Sequence, residues 1–290
     1  MKLSILTSTY NRGNLLNRLY ESINKNLINE CIDVQWLVMD DGSTDNTTEI
    51  INKIKENANF EILYFKQENK GKMEAINNLM SYANGELIVE CDSDDYFTDN
   101  SFVKINNDYT KINDDIYALC YLKYNQNRCN IGNLFKQEKT TMFDLYFKQG
   151  ENGEKALVYN ANIRKKYKYE LENNEKFITE ARLQHKMDKD YNIICVNEPI
   201  MICEYQQGGY TNNIDDMFAK YPYGYYEYFK EIFTMNMKGV NIKKRLYVIK
   251  HYILFGTLIN KKLTQLLNES NGIFNKLLIN LFYLLHNIQR

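Results

Sequence analysis

The chain has 290 residues, 44% hydrophobic and 25% charged, with 36 Lys and Arg against 37 Asp and Glu for a formal net charge of −1. That balance excludes a disordered or low-complexity chain and fits a folded protein with a large core. The six cysteines, at 31, 91, 120, 129, 195 and 203, include no CxxC pair, so reduced thiols in the cytosol are expected rather than a metal knuckle or disulfide framework.

MKLSILTSTYNRG lacks the hydrophobic region of a signal peptide, which also predicts a cytoplasmic protein. Leu3 to Leu6 reads as a short strand, and Leu15, Leu16, Leu19, Ile23 and Leu27 then recur at helical spacing. Val34 to Met39 predicts a second strand, stopped by Asp40-Asp41-Gly42-Ser43, a turn-forming run. Asn46 is the expected N-cap of the next helix, with Glu49 completing a variant capping box and Ile50, Ile51 and Ile54 on one face. A third strand, Phe60 to Phe65, leads through Asn69-Lys70-Gly71-Lys72 into a helical stripe of Met73, Ile76, Leu79, Met80 and Ala83, for which Asn84-Gly85 is the expected stop.

Leu87-Ile88-Val89 is the fourth strand, and ECDSDDYF follows it. Near-continuous apolar strands alternating with amphipathic helices predict a mostly parallel sheet covered on both faces. In such sheets ligands bind beyond the carboxyl ends of the strands. Four polar loops, 7–11, 40–43, 67–72 and 92–95, occupy such ends. Carboxylates on alternate residues there, Asp92 and Asp94, can reach one hard cation, Mg²⁺ or Mn²⁺, whose shell a diphosphate would complete. No P-loop, GxGxxG or EF-hand pattern competes with that reading.

In order, STYNR (Ser8 to Arg12), MDDGSTDNT (Met39 to Thr47), NKGKMEAIN (Asn69 to Asn77), NGELIVECDSDD (Asn84 to Asp95) and FITEA (Phe177 to Ala181) resemble family 2 glycosyltransferases over residues 1–210. These are inverting, metal-dependent enzymes of the GT-A fold that use nucleotide-diphospho-sugars. The resemblance implies a catalytic domain over 1–212, with a nucleotide-binding half (1–95) and an acceptor-side half (96–212), followed by a helical region over 213–290. It implies a UDP-sugar site of Ser8, Tyr10, Asp40 and Asp41, with Lys70 or Lys72 meeting the diphosphate as a point charge. Asp94 would hold the metal, with Asp92 on the ribose or a metal water and Asp95 toward the transferred sugar. Glu180 aligns with the family's catalytic base, although Ala181 replaces the second acid of the usual Glu-Asp form. His185, in the same helix, is expected at its surface.

Ile200 to Tyr205 predicts another strand, and Gln206 to Thr211 a loop that could close over donor. The absence of QxxRW sets the chain apart from processive synthases and points to one sugar per event. Residues 236–290 hold nine Lys and Arg against one acid, net +8, leaving −9 for the remainder. Helical stripes there, Leu246, Ile249, Ile253 and Leu254, then Ile273, Phe274, Leu277, Leu278, Leu281, Phe282 and Leu285, are too short to span a bilayer. They suit packing on the domain, a homodimer, or a peripheral seat on an anionic membrane at its inner face. The acceptor expected from this is a glycan or polyprenyl-linked glycan in capsule or other surface-polysaccharide synthesis. Nucleic acid is not an expected partner, because the cations alternate with aliphatics and no recognition motif occurs. Two competing readings are a sugar-phosphate nucleotidylyltransferase, whose glycine-rich basic N-terminal loop is missing, and a non-catalytic sugar-nucleotide-binding scaffold.

Overall fold

Strands that are apolar on both faces need cover on both, and the computed structural model provides it. The structure describes residues 1–27, 32–204, 214–270 and 272–288. Among them the strands are β1 (Lys2–Thr9), β2 (Asp33–Asp40), β3 (Glu61–Lys66), β4 (Leu87–Glu90), β5 (Tyr96–Phe97), β6 (Ile116–Tyr124), β7 (Lys139–Thr140), β8 (Lys155–Asn160) and β9 (Asn192–Ile202). They form one sheet in the order β3-β2-β1-β4-β8-β6-β9-β5, with β7 paired to β9. The first four are mutually parallel. β8 runs antiparallel to both of its neighbours, so the sheet is mixed beyond β4.

The helices before the tail are α1 (Gly13–Leu27), α2 (Thr47–Asn57), α3 (Lys72–Leu79), α4 (Ser101–Asp108), α5 (Ala161–Arg164) and α6 (Glu180–Met187). Leu16, Leu19 and Ile23 of α1, Ile51 and Ile54 of α2, and Phe102 and Ile105 of α4 bury one face of the sheet around Trp36 and Ile5. Met73, Ile76 and Leu79 of α3 and Leu183 and Met187 of α6 bury the other around Leu37 and Ile88. At about 25 cal/mol per Å² of apolar surface, these two layers supply the main driving force for folding.

The tail contributes α7 (Ile214–Lys220), α8 (Pro222–Ile232), α9 (Ile242–Leu258), α10 (Leu263–Glu269) and α11 (Ile273–Ile288). It has its own core, in which Tyr226, Phe229 and Ile232 of α8 meet Val248, Ile249, Tyr252 and Phe255 of α9, Leu266 and Ile279. Phe143, from the segment after β7, is part of that core and ties the tail to the sheet domain. No described helix is long and apolar enough to cross a membrane.

Local expectations need four corrections. Asn46 makes no side-chain cap; Asp45 accepts from Thr47 N at 3.1 Å and from Gly13 N at 3.2 Å, anchoring the starts of α1 and α2 together. α3 ends at Leu79 rather than at Asn84-Gly85, and a turn carries the chain on to β4. The strand expected at Ile200 is the end of a longer one that begins at Asn192, and Tyr205 and the loop 206–211 lie outside the described residues. The buried stripe of α9 is Val248, Ile249, Tyr252, Ile253 and Phe255, while Leu246 and Leu254 are only half-buried, because α8 and α10 approach from a different side than periodicity alone suggests.

Gly71, just before α3, has φ +94°, and a Cβ there would lie 2.1 Å from the Lys176 carbonyl oxygen. Gly150 also has positive φ, at +78°, but open space around it. Gly71→Ala should therefore destabilise by about 3 kcal/mol or more, against about 1 kcal/mol for Gly150→Ala. Urea denaturation of the two variants checks this, and equal losses would show that the Lys176 carbonyl yields freely.

Candidate active site

Parallel pairing carries the ends of β1, β2 and β3 to one rim, with Thr9 opposite Asp40 and Asp40 opposite Lys66. Backbone bonds then hold the emerging loops side by side: Asp41 N to Thr9 O at 2.8 Å, Gln67 N to Asp40 O at 2.9 Å and Cys91 N to Leu6 O at 2.9 Å. Above them opens a cleft of about 1420 Å³, lined by Ser8, Tyr10, Asp41, Lys72, Asp92, Asp94, Asp95 and Glu180 among others.

The two aspartates of the DDGS turn differ in placement. Asp40 is fully buried, accepting from Ser43 N at 2.7 Å and from the Tyr64 hydroxyl at 2.8 Å, and it does not line the cleft. Asp41 does, and its carboxylate accepts from Lys70 N, Gly71 N and Gln67 Nε2 at 2.7–2.8 Å, fixing the NKGK loop to the turn. Lys70 offers its backbone N–H to this bond and leaves its side chain exposed outside the cleft wall.

Each acid of the loop after β4 has a cation from another part of the chain. Lys72 Nζ, at the start of α3, lies 2.7 Å from Asp92, and it also bonds Glu180 Oε1 at 2.9 Å. Arg12 Nη1 donates to Asp94 at 2.7 Å, and Lys123 Nζ, from β6, donates to Asp95 at 2.7 Å. Arg18 adds a bond to the Asp94 carbonyl at 2.7 Å and lies 4.4 Å over the Tyr96 ring. Burial works against the Lys72 charge, but Asp92 and Glu180 outweigh it and hold its pKa well above the ordinary lysine range. Burial likewise opposes the Asp92 carboxylate, and Lys72 with Lys123 brings its pKa below the usual range.

Asp94 and Asp95 shift the other way. Burial raises the Asp95 pKa in spite of Lys123, and burial, then the charge of Asp92, push that of Asp94 up to about 6, which Arg12 only partly offsets. No described group of three or more His, Cys, Asp or Glu residues gathers as a preformed metal cage. The paired oxygens of Asp92 and Asp94 are nevertheless hard donors in one turn, and a divalent cation would relieve the repulsion that raises Asp94. The residues fit such an ion if substrate oxygens and water complete its shell.

Glu180 opens α6 and faces the cleft from across the metal-binding candidates, its Oε1 held by Lys72. His185 is not at the helix surface as the sequence suggested. It is 3% exposed, between the rings of Phe143, Phe147 and Tyr228, and burial pushes its pKa down to about 3, so it is neutral. Arg12, Lys123 and the tail's Tyr225, Tyr228 and Tyr247 had no role in the sequence reading, and Lys243 and Lys244, expected at a membrane surface, line the cleft. Lys123 carried a legible signal, a lone lysine inside the apolar strand IYALCYLKY.

Because Asp94 holds its proton more tightly folded than unfolded, its own contribution to stability falls as pH rises from about 4 to about 6 and stays reduced above that. Asp94→Asn should raise the stability of the metal-free protein by about 1–3 kcal/mol above pH 6, less what the lost Arg12 bond contributes, and change little below pH 4. Urea denaturation at pH 4 and pH 8 checks the sign; a loss at pH 8 would contradict it.

A model of glycosyl transferase family 2 matches residues 4–181. The chain is 36% identical over 125 residues to an uncharacterized glycosyltransferase of Mycoplasma pneumoniae, covering 42% of each chain. It is 38% identical over 93 residues to the chondroitin synthase of Pasteurella multocida, covering 32% of this chain and 9% of that one. The chain thus spans less than half the length of these curated relatives. Among solved structures it resembles Staphylococcus aureus TarS 1–349 in complex with UDP-GlcNAc, with a TM-score of 0.61 and 18% identity over 93% of this chain and 79% of that one. It also resembles the mannosyltransferase PcManGT of Pyrobaculum calidifontis in complex with GDP-Man and Mn²⁺, with a TM-score of 0.58 and 13% identity over 98% and 79%. These structural likenesses speak for a GT-A fold, and the family match extends from β1 through the loop acids to Glu180. On that match the chain belongs to glycosyl transferase family 2.

Proposed function

We propose that the protein transfers one sugar, with inversion, from a UDP-sugar to a glycan or lipid-linked glycan acceptor in surface-polysaccharide or glycoconjugate synthesis, in a reaction that depends on Mg²⁺ or Mn²⁺. The observation that carries this reading is the Lys72 bridge. One ammonium reaches both Asp92 at 2.7 Å and Glu180 at 2.9 Å, so the acidic loop and the candidate base face one space. The UDP-GlcNAc bound to TarS and the sugar chain named in the Pasteurella chondroitin synthase support donor and acceptor classes of this kind.

Ser8, Tyr10 and Asp41 bind the nucleoside, with Asp40 acting beneath them by holding the DDGS turn. Lys72 turns from the carboxylates to the diphosphate, Lys70 contributes charge at the mouth, and Asp95, held by Lys123, faces the transferred sugar. Asp94 and Asp92 would hold the cation, which supplies positive charge against that developing on the leaving diphosphate. Glu180 takes the proton of the acceptor hydroxyl as its oxygen bonds to the anomeric carbon. The bond from that carbon to the diphosphate oxygen breaks, and UDP leaves with the electron pair.

Outside the cleft, α11 exposes Leu277, Leu281 and Leu284 at 64%, 52% and 59%. Their spacing on one face beside a basic tail supports a peripheral seat at the inner face of an anionic membrane. Residues 273, 274 and 285 of the expected stripe have side chains outside the described set.

A UDP-release assay with Mn²⁺ and a panel of sugar nucleotides and acceptors tests the assignment. Glu180→Gln should lower kcat by roughly 10²-fold or more with UDP affinity kept. Asp94→Ala should lose the stimulation by divalent ions. Full activity in both variants would remove these residues from the chemistry.

A further inference from the structure

The cleft has a second wall, built by the helical tail. α8 presents Tyr225 and Tyr228, α9 presents Lys243, Lys244 and Tyr247, and Lys220 stands at the end of α7. The charges here differ in kind from those on the sheet side. Lys72, Lys123 and Arg12 each sit on a carboxylate. Among the described residues, Lys220, Lys243 and Lys244 have no carboxylate within ion-pair distance. Lys244 donates to the Tyr146 carbonyl oxygen and lies 5.9 Å over the Phe147 ring, while Lys220 lies 5.2 Å over Tyr221. Burial alone lowers the Lys244 pKa, with no acid opposing it.

Behind these cations His185 lines the same cleft, buried, with its Nδ1 lacking a hydrogen-bond partner. Its ring stacks on Tyr228 at 5.6 Å and meets Phe147 edge-on at 6.0 Å. An unpaired buried nitrogen costs stability unless something polar reaches it. Aromatic faces beside an imidazole suit the C–H face and hydroxyls of a sugar or polyol, and uncompensated ammonium groups suit an anion.

Resting on the proposed transferase reading, we propose that this wall is the acceptor subsite and that the acceptor is an anionic sugar or polyol chain, bearing phosphate or carboxylate near its accepting hydroxyl. Lys220, Lys243 and Lys244 read that charge, Tyr225, Tyr228 and Tyr247 carry the rings or carbon chain, and His185 meets a hydroxyl as a neutral partner. The basic residues that the sequence suggested for a membrane surface thus serve the cleft in part.

Binding of three probes by calorimetry decides this: a short glycerol-phosphate oligomer, a galacturonate oligomer and a neutral maltooligosaccharide, each offered to the full chain with UDP and Mn²⁺. At least one anionic probe should bind about tenfold or more tighter than the neutral one, with the preference shrinking as salt is raised. Whichever anion binds names the charged group. Lys243→Glu, at an exposed site, should weaken that probe about tenfold, and Lys243→Gln less, while UDP affinity stays within about twofold. Equal binding of all three probes, or no binding of either anion, overturns the proposal. So does an unchanged Lys243→Glu, and so does a loss of UDP affinity in it, which would give the lysines to the donor. Absence of UDP binding by the unsubstituted chain would instead defeat the transferase reading itself.

Discussion

The site depends on how four carboxylates are held close together at the edge of a low-dielectric sheet. Asp92, Asp94, Asp95 and Glu180 would repel one another if left alone, and each is met by a cation that comes from elsewhere in the chain. Lys72 comes from the start of α3, Arg12 from the loop after β1, and Lys123 from the end of β6. The acidic loop is thereby tied to three elements far apart in sequence, and removing any one cation would leave a charge poorly compensated.

In the proposed reading, that arrangement is a resting state that substrate would replace. The cations that hold the acids are the kind of groups that meet a diphosphate, and the acids are hard oxygen donors of the kind that meet a divalent ion. In the proposed reading, binding of a metal diphosphate would exchange one set of partners for another of the same charge type, so the desolvation already incurred in folding would not be incurred again. The raised pKa of Asp94, which burial and the neighbouring Asp92 cause, marks a place where that exchange would relieve repulsion.

The helical tail completes the cleft through geometry set by other contacts. Phe143 belongs to the tail's core, and the turn around it is held by Asp188, which accepts from Met142 N at 3.0 Å, Phe143 N at 2.7 Å and the Tyr117 hydroxyl at 2.9 Å. A π-helical turn, Asp144–Lys148, follows directly and places Tyr146 and Phe147 in the cleft. Packing of α8 and α9 on Phe143 then brings Tyr228, Lys244 and Tyr247 opposite the acidic loop.

Much of this is legible in the sequence. The alternation of apolar strands and amphipathic helices through residue 90, the polar loops at strand ends and the family resemblance all follow from short-range patterns of hydrophobicity and motif spacing, and these set the first four strands and the placement of Asp41, Lys72, Asp92, Asp94 and Glu180 on one cleft. The mixed half of the sheet was less so, because β8 and β6 are apolar runs whose direction depends on which neighbour they meet. Asp40 and Lys70 read as alike to Asp41 and Lys72, and only the strand pleat and the turn decide that one of each pair faces inward or away. His185 on a predicted helix surface, the true buried stripe of α9, and the turning of Lys243 and Lys244 toward the cleft were decided by tertiary packing alone. Local sequence specifies which face of an element is apolar, but not what arrives to cover it, and a side chain's partners and charge state come from that arrival.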